Sequence, residues 1–427
     1  MSSIFKNIES ILSYNSDDIM IEEYWNLGDE QEHKRHNIHA YPAKFPAFIA
    51  TKAMDYAKNN GISINTVADI FCGCGTVALE AKINNVSFWG CDINPVATLI
   101  ASVKKESYIV KRLEKYYDFI IDNYHKSKID MVEYSIANER LRYWFDESHY
   151  NNLKKLLAAI ENLPKGKYQK AFKCIFSATL KPTSRWLMKS IKPQIDPEKT
   201  PVDTINAFDI AYNKFKKAIE DEQIFKASNI EIETNDFLSK RNLPNVSLII
   251  TSPPYVTSYE YADLHQLTSL WLGYADDYKE LRDGTIGSAY NSENFFYKEL
   301  SINDTGRKIV ENLQSKNIQQ AKIKSIARYY LDMQKVTDKC YNMLETNGMA
   351  FFVIGDTEYK GIKIENSRHL AESLIRSNFN EVLITKRKIT NKLLTPYRDE
   401  SGRFTTDKNS RKVYHEEFIV IGKKEAT

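Results

Sequence analysis

Asp69-Ile70-Phe71-Cys72-Gly73-Cys74-Gly75-Thr76 decides how the rest of this chain is read. Thr66–Phe71 is a short apolar run and Thr76–Asn84 has helical spacing, so the octet lies at a strand-to-helix turn. Gly73 and Gly75 let the backbone approach a ligand with no Cβ in the way. The helix start beyond them offers unpaired amides, and Thr76 is placed to cap it. Moving outward, Val86–Cys91 reads as a second strand and Pro95–Lys104 as a second helix. Strand–helix–strand–helix is the start of a parallel sheet with helices on its faces. Asp92 ends the second strand, 17 residues after Gly75, where a carboxylate can accept both hydroxyls of a ribose.

Two cofactor classes compete for this loop. Gly73-Cys74-Gly75-Thr76-Val77-Ala78 also fits the dinucleotide pattern, which would suit a nicotinamide or flavin enzyme; a tight turn that binds nothing is the bland alternative. Asp69 separates the enzyme classes. A carboxylate before the glycines repels a pyrophosphate but suits the ammonium of an amino-acid moiety, directly or through water. S-adenosylmethionine carries an adenosine and such an ammonium.

The remaining chain bounds the problem. At 427 residues, two units or one unit with a large insertion are expected. Hydrophobic content of 42% and charged content of 27% fit a soluble globular protein, and a net charge of +3 names no partner by itself. Cys72, Cys74, Cys91, Cys174 and Cys340 are odd in number and scattered, which argues against a disulfide framework. No second Cys/His pair follows Cys72 and Cys74 at finger spacing, so no metal is expected. The start of the chain has no charged-then-apolar order and no apolar run long enough for a membrane span, so a cytoplasmic setting is expected.

Texture divides the chain. Leu153, Leu156, Leu157, Ile160 and then Phe208, Ala211, Tyr212, Phe215 recur at helical spacing, so 106–225 reads as a mostly helical insertion. Strand patterns return at Ile230–Thr234, Val246–Thr251, Ala350–Gly355, Asn378–Thr385 and Glu417–Gly422. The expected organisation is a catalytic domain built from 1–105 and 226–427, with 106–225 as candidate target-recognition region.

Thr251-Ser252-Pro253-Pro254-Tyr255 ends the run Leu248-Ile249-Ile250. Two prolines stop the ladder and stiffen the loop, which leaves the sheet on the same edge as the glycine loop. An exocyclic amino group is a poor nucleophile because its lone pair is delocalised into the ring. Acceptors aimed at its hydrogens draw that pair out of conjugation. The Ser252 hydroxyl oxygen and the Pro253 carbonyl can act so, and Tyr255 offers a face on which an extruded base stacks. No strong base is needed if the proton leaves after transfer, from a cationic nitrogen.

With these residues stated, the sequence resembles the bacterial amino-DNA methyltransferases, most closely the N4-cytosine group. That group carries Ser-Pro-Pro-Tyr where the adenine-N6 enzymes carry Asn or Asp before the prolines. The matching segments are His39-Ala40-Tyr41-Pro42-Ala43-Lys44-Phe45, Asp69–Thr76, Gly90-Cys91-Asp92-Ile93-Asn94-Pro95 and Thr251–Tyr255. Ile70 and Cys74 depart from the family's usual Pro and Ser. The resemblance implies a Rossmann-like seven-stranded methyltransferase sheet, S-adenosylmethionine as methyl donor, and S-adenosylhomocysteine as product. Lys44, Phe45, Asp69, Phe71, Gly73, Gly75 and Thr76 would surround the methionine end, Asp92 and Ile93 the ribose, and Asp236 the adenine. Ser252, Pro253, Pro254 and Tyr255 would form the catalytic set.

Double-stranded DNA is the expected partner, with a cognate restriction endonuclease where the enzyme belongs to a restriction–modification system. From Asn162 to Ile195 eight Lys/Arg occur with no acid, interleaved with Tyr168, Phe172, Phe176 and Trp186 as candidate wedges. Lys386–Lys412 holds nine Lys/Arg against three acids. Lys170, Lys173, Lys181, Arg185, Lys189, Tyr259, Lys388, Lys392 and Arg398 are the candidate DNA contacts; a solvated face is the bland reading of either run. His36, His149, His265 and His415 read as surface or capping residues, and Asp263 as a late proton acceptor. Competing functions are adenine-N6 methylation, guanine-N2 methylation of RNA, a nicotinamide oxidoreductase that would leave Thr251–Tyr255 unexplained, and a DNA-binding scaffold without catalysis.

Overall fold

The computed structural model describes residues 3–42, 44–127, 134–220, 228–256, 260–288, 301–316, 318–389, 397–398, 405–412 and 416–425. Its centre is an eight-stranded sheet. In chain order the sheet strands are β1 (Ser3–Phe5), β2 (Thr66–Asp69), β3 (Ser87–Asp92), β4 (Ile230–Thr234), β5 (Val246–Thr251) and β6 (Leu344–Ile354). A hairpin, β7 (Thr357–Tyr359) and β8 (Ile362–Ile364), follows β6. The sheet resumes with β9 (Glu381–Lys388) and ends with β12 (Glu416–Lys423); between them the ribbon of β10 (Tyr397–Arg398) and β11 (Arg411–Lys412) stands apart.

Across the sheet the order is β1-β9-β12-β6-β5-β2-β3-β4. The pairs β2/β3, β3/β4, β2/β5 and β5/β6 are parallel, while β12 runs antiparallel to β6 and β9. Seven strands with one reversed near the end form the Rossmann-like methyltransferase sheet; β1 is an addition the sequence pattern did not disclose. The chain moves outward from β2 through β3 to β4, then returns to the other side of β2 as β5. That reversal opens a crevice at the carboxyl ends of β2 and β5, the place where such sheets bind ligands.

The alternation of a strand buried on both faces is plain in β5. Leu248 and Ile250 pack with Val67, Phe88, Met349 and Phe351. Ile249 packs with Ala68, Trp89, Ala350 and Phe352 on the opposite face. One face is covered by α2 (Ala47–Asn59) and α3 (Thr76–Ile83), whose alanines allow close approach. The other lies under α12 (Asp304–Ser315), α13 (Gln320–Met343) and α14 (Asn366–Arg376), with α1 (Ile8–Ser13) beside them.

The 106–225 segment is helical as expected: α5 (Val110–Lys126), α6 (Glu139–Trp144), α7 (Glu147–Glu161), α8 (Lys167–Leu180) and α9 (Thr204–Glu220). It does not make a core of its own. Its buried side chains join Val96, Leu99 and Ile100 of α4 (Pro95–Lys104), and Leu267 and Trp271 around α11 (Gln266–Trp271), which follows the short α10 (Tyr261–Leu264). The candidate wedges Tyr168, Phe172, Phe176 and Trp186 all lie inside this cluster, so that reading is corrected. On α8 the aromatics recur four residues apart and share the inward face; the lysines between them point elsewhere.

Gly75 shows how tightly the glycine loop is seated. Its φ is +74°, and a Cβ there would lie 2.6 Å from the Ala101 Cβ and 2.8 Å from its Cα. Both the left-handed backbone and the contact with α4 exclude a side chain. Gly75→Ala should therefore destabilise the fold by about 2–4 kcal/mol, combining backbone strain and overpacking. Urea unfolding measures this; a midpoint unchanged from wild type would refute the packing described.

Candidate active site

Three carboxyl-terminal strand ends meet at the crevice: Asp69 of β2, Asp92 of β3 and Thr251 of β5. Asp69 is buried. Its Oδ1 accepts the Thr251 hydroxyl at 2.6 Å and the Phe71 amide at 3.2 Å. Burial pushes its carboxyl up to about 7, against the lowering effect of those two donors and with the nearby Asp92 charge adding to the rise. Asp92 accepts the Gly73 amide on Oδ2 at 2.8 Å and the Asn94 amide on Oδ1 at 2.9 Å. A carboxylate has about four lone-pair sites, so both oxygens can still accept. Asp236 is built alike: its two oxygens take the Leu238 amide at 2.9 Å and the Ser239 amide at 3.0 Å.

The loop amides are ordered by the neighbouring strand. Cys72 N donates to Cys91 O at 3.0 Å, and Gly75 N donates to Cys72 O at 2.8 Å. Gly75, not Thr76, is the residue before the first turn of α3; Thr76 begins the helix, is buried, and makes no capping bond, which corrects the expectation. Its hydroxyl instead lies 4.0 Å from the Cys74 sulfur. The fully buried Lys104 donates to that sulfur at 3.2 Å, so the cysteine at this unusual position accepts an ammonium.

Other members of the set sit around this frame. Phe71 packs partly buried against the sheet core, and Ile93 lies beneath Gly284, whose Cβ would be 3.1 Å from the Ile93 Cδ1. Lys44 donates to Glu32 at 2.6 Å and to Asn37 at 3.3 Å, while Phe45 packs partly buried near α2. Tyr41, two residues beyond His39, covers the bare Gly73: a Cβ there would be 3.6 Å from its ring. Tyr41 stacks on His265 with centroids 5.0 Å apart. Burial and the Asp92 charge hold its phenol protonated. Sequence reasoning named the segment of Tyr41 but gave the residue no role.

Ser252 donates its hydroxyl to Val353 O at 2.9 Å. Its proton is thus committed to β6, and the oxygen faces other partners with lone pairs alone. Pro253 is buried and Pro254 half-buried. The Tyr255 hydroxyl donates to Glu417 Oε1 at 3.0 Å.

The histidines divide. His149 bonds Asp146, the cap of α7, as expected. His36 is fully buried and pairs with Glu80 at 2.7 Å, so it is not a surface residue; His265 is buried, with its pKa pushed down to about 3 by desolvation, and stands as the backbone cap between α10 and α11, the capping role expected of it. His415 lies outside the described residues. Asp263 accepts on Oδ1 from Nε and Nη2 of Arg282, at 2.9 and 2.7 Å.

The candidate DNA contacts are dispersed. Lys170 and Lys189 are exposed, and Lys388 is exposed at the end of β9. Lys173 pairs with Glu161 at 3.3 Å. Lys181 donates to the carbonyls of Met188 and Ser190 at 3.1 and 2.8 Å, and Arg185 to those of Arg142 and Tyr143. Tyr259 and Lys392 lie outside the described residues; the backbone of Arg398 pairs with that of Arg411. All five cysteines are buried and free. Among the described residues no helix is long and apolar enough to cross a membrane.

Comparison with known proteins bears on this frame. Residues 6–102 match the family model described as DNA methylase, covering the glycine loop, Asp92 and the segment before them. The Type II methyltransferase M.MvaI of Kocuria varians is 22% identical over 394 residues, 84% of each chain. Two structures of the rRNA methyltransferase aviRa from Streptomyces viridochromogenes overlap 90% and 94% of this chain at 10% and 9% identity, and 88% and 96% of their own, with TM-scores of 0.28 and 0.30.

Asp69 also sets a pH dependence. Its folded-state pKa lies above the ordinary carboxyl value of 3.8, so the native protein holds this proton where the unfolded chain has lost it. The stabilisation is present at low pH and is lost as pH rises toward about 7. Asp69→Asn should remove a slope of at most about 1.4 kcal/mol per pH unit. Denaturant midpoints for wild type and variant between pH 5 and 8 give the difference; parallel profiles would rule the buried carboxyl out as its source.

Proposed function

We propose that this chain, a DNA amino-methyltransferase by its matched domain and its relative, methylates the exocyclic N4 of cytosine in duplex DNA. The observation that carries the reading is the Ser252 hydroxyl, whose proton is taken up by Val353 O. An oxygen held in this way can only accept from an amino group. Accepting one amino hydrogen, with the Pro253 carbonyl as a second acceptor, turns the nitrogen lone pair out of the ring. The serine, where adenine-directed enzymes carry Asn or Asp, favours cytosine. Tyr255 supplies the stacking face for a base taken out of the duplex.

The residues fit S-adenosylmethionine, which supplies an electrophilic methyl group on a sulfonium and leaves as S-adenosylhomocysteine. Asp69 would hold the ammonium of the methionine moiety, beside the bare backbone of Gly73 and Gly75, with Phe71 and Thr76 adjoining. Asp92, with two oxygens still able to accept, suits the ribose hydroxyls next to Ile93, and Asp236 suits an adenine amino group. Lys44 and Phe45 approach from the segment before α2. The Lys44 ammonium is neutralised by Glu32, so its part is local shape more than charge.

DNA binding would draw on the helical insertion. Residues 186–195 form an ordered hairpin closed by Leu187 N to Gln194 O at 2.8 Å and braced from inside by Lys181. Its tip exposes Met188 and Ile191 next to Lys189 and Lys192, an apolar pair among cations suited to a bent or opened duplex. A cytoplasmic enzyme of a restriction–modification system, with or without its endonuclease, is the setting that follows.

Purified protein, plasmid DNA and S-adenosylmethionine should yield N4-methylcytosine on nucleoside mass spectrometry. N6-methyladenine as sole product would reject the cytosine assignment, and methylation of RNA alone would reject the substrate class. Ser252→Ala should lower kcat by about a hundredfold, the scale of losing one directed hydrogen-bonding group, with cofactor binding by calorimetry unchanged. Weaker cofactor binding with normal turnover would contradict the role given to Ser252.

A further inference from the structure

Tyr255 is held at its hydroxyl and bordered at its ring by residues with no place in the chemistry above. Its hydroxyl donates to Oε1 of Glu417, at the start of β12. Oε2 of the same carboxylate takes both Nε and Nη2 of Arg387, at 3.0 and 2.6 Å. Arg387 and Glu417 are register partners on the antiparallel pair β9/β12, and their side chains are 5% and 17% exposed. Arg387 lies over the Phe48 ring of α2, 5.6 Å from its centroid. On another side Gly355 follows the end of β6, and a Cβ there would come within 3.3 Å of the Tyr255 ring.

These contacts do one thing together. A tyrosine ring has two torsions. Fixing the hydroxyl end and closing one approach leaves a single orientation. The Glu417 carboxylate could not sit this deep alone, since an unpaired buried charge is costly; Arg387 neutralises it, and the fork geometry directs Oε1 toward the phenol. A stacking face that is already ordered spares the ordering entropy that would otherwise be lost when a base arrives.

We infer that Glu417 and Arg387 are positioning residues of the methyl transfer, acting through Tyr255, with Gly355 leaving the ring its room. This rests on the reading of Tyr255 as the platform for the target base. Arg387 and Glu417 stand 30 residues apart in sequence, at the ends of two strands that join only in the folded sheet.

The test is a double-mutant cycle read in kcat and KM on plasmid DNA. Tyr255→Phe keeps the ring and removes the anchor; it should lower kcat about tenfold, the order of one lost hydrogen bond, with cofactor Kd unchanged. Glu417→Gln should lower kcat by a similar factor. The double variant should be no slower than Tyr255→Phe, because both changes break one link. Losses that multiply, or a Tyr255→Phe enzyme with full kcat, would overturn the inference; the second outcome decides even if Glu417→Gln fails to fold. Tyr255→Ala separates the two readings. If it keeps full activity, the platform itself is wrong. If it is inactive while Tyr255→Phe and Glu417→Gln are normal, the platform stands and the positioning role fails.

Discussion

The hydrogen bond from Thr251 to Asp69, 2.6 Å across the crossover between β5 and β2, is the constraint on which the site depends. One end of it belongs to the glycine loop and the other to the Ser-Pro-Pro-Tyr loop. The bond ties together the strand ends from which the two loops leave. Methyl transfer needs donor and acceptor in near contact and in line. A protein that carries the two ligands on separate loops must fix those loops to each other. Here the fixing is done below the crevice, by strand ends, so the loops themselves are free to be shaped for their ligands.

The rest of the crevice repeats that economy. Asp92 and Asp236 each accept two backbone amides of their own turns and can still accept on both oxygens. Ser252 spends its proton on β6 and keeps its lone pairs. In each case a local bond fixes which capacity is left, and so which chemistry the group can perform. Cys74 follows the same logic in an unusual form, since its sulfur occupies the buried Lys104 ammonium.

How much of this could be read from the chain differs by element. Val246–Thr251, Pro95–Lys104 and Ile230–Thr234 were legible to the residue because apolar runs there end in turn signals. Ser3–Phe5 was not, because a three-residue edge strand has too short a pattern. Tyr168, Phe172 and Phe176 read as wedges because lysines are interleaved with them, whereas they lie on one inward face of α8. Tyr41, His265, Arg387 and Glu417 carry no local signature. Their roles arise from contacts between distant segments, which no periodicity reports. The reading of 106–225 as a separate recognition unit also meets a physical limit: its helices complete the burial of α4, so the insertion and the sheet domain share one apolar cluster.

The small strand β1 has a consequence outside catalysis. The sheet would otherwise end at β9, an eight-residue strand whose outer amides and carbonyls would be open to pairing with any extended chain. Ser3–Phe5 occupies part of that edge, and Ile21 bridges to Lys386 farther along it. At the opposite border, β4 carries Glu231 and Glu233 in five residues, a charged edge that discourages pairing. The two borders are thus blunted by different means, one by covering and one by charge. Trimming or fusing at the first few residues would therefore act on colloidal behaviour, exposing a template for self-association while leaving the crevice unchanged.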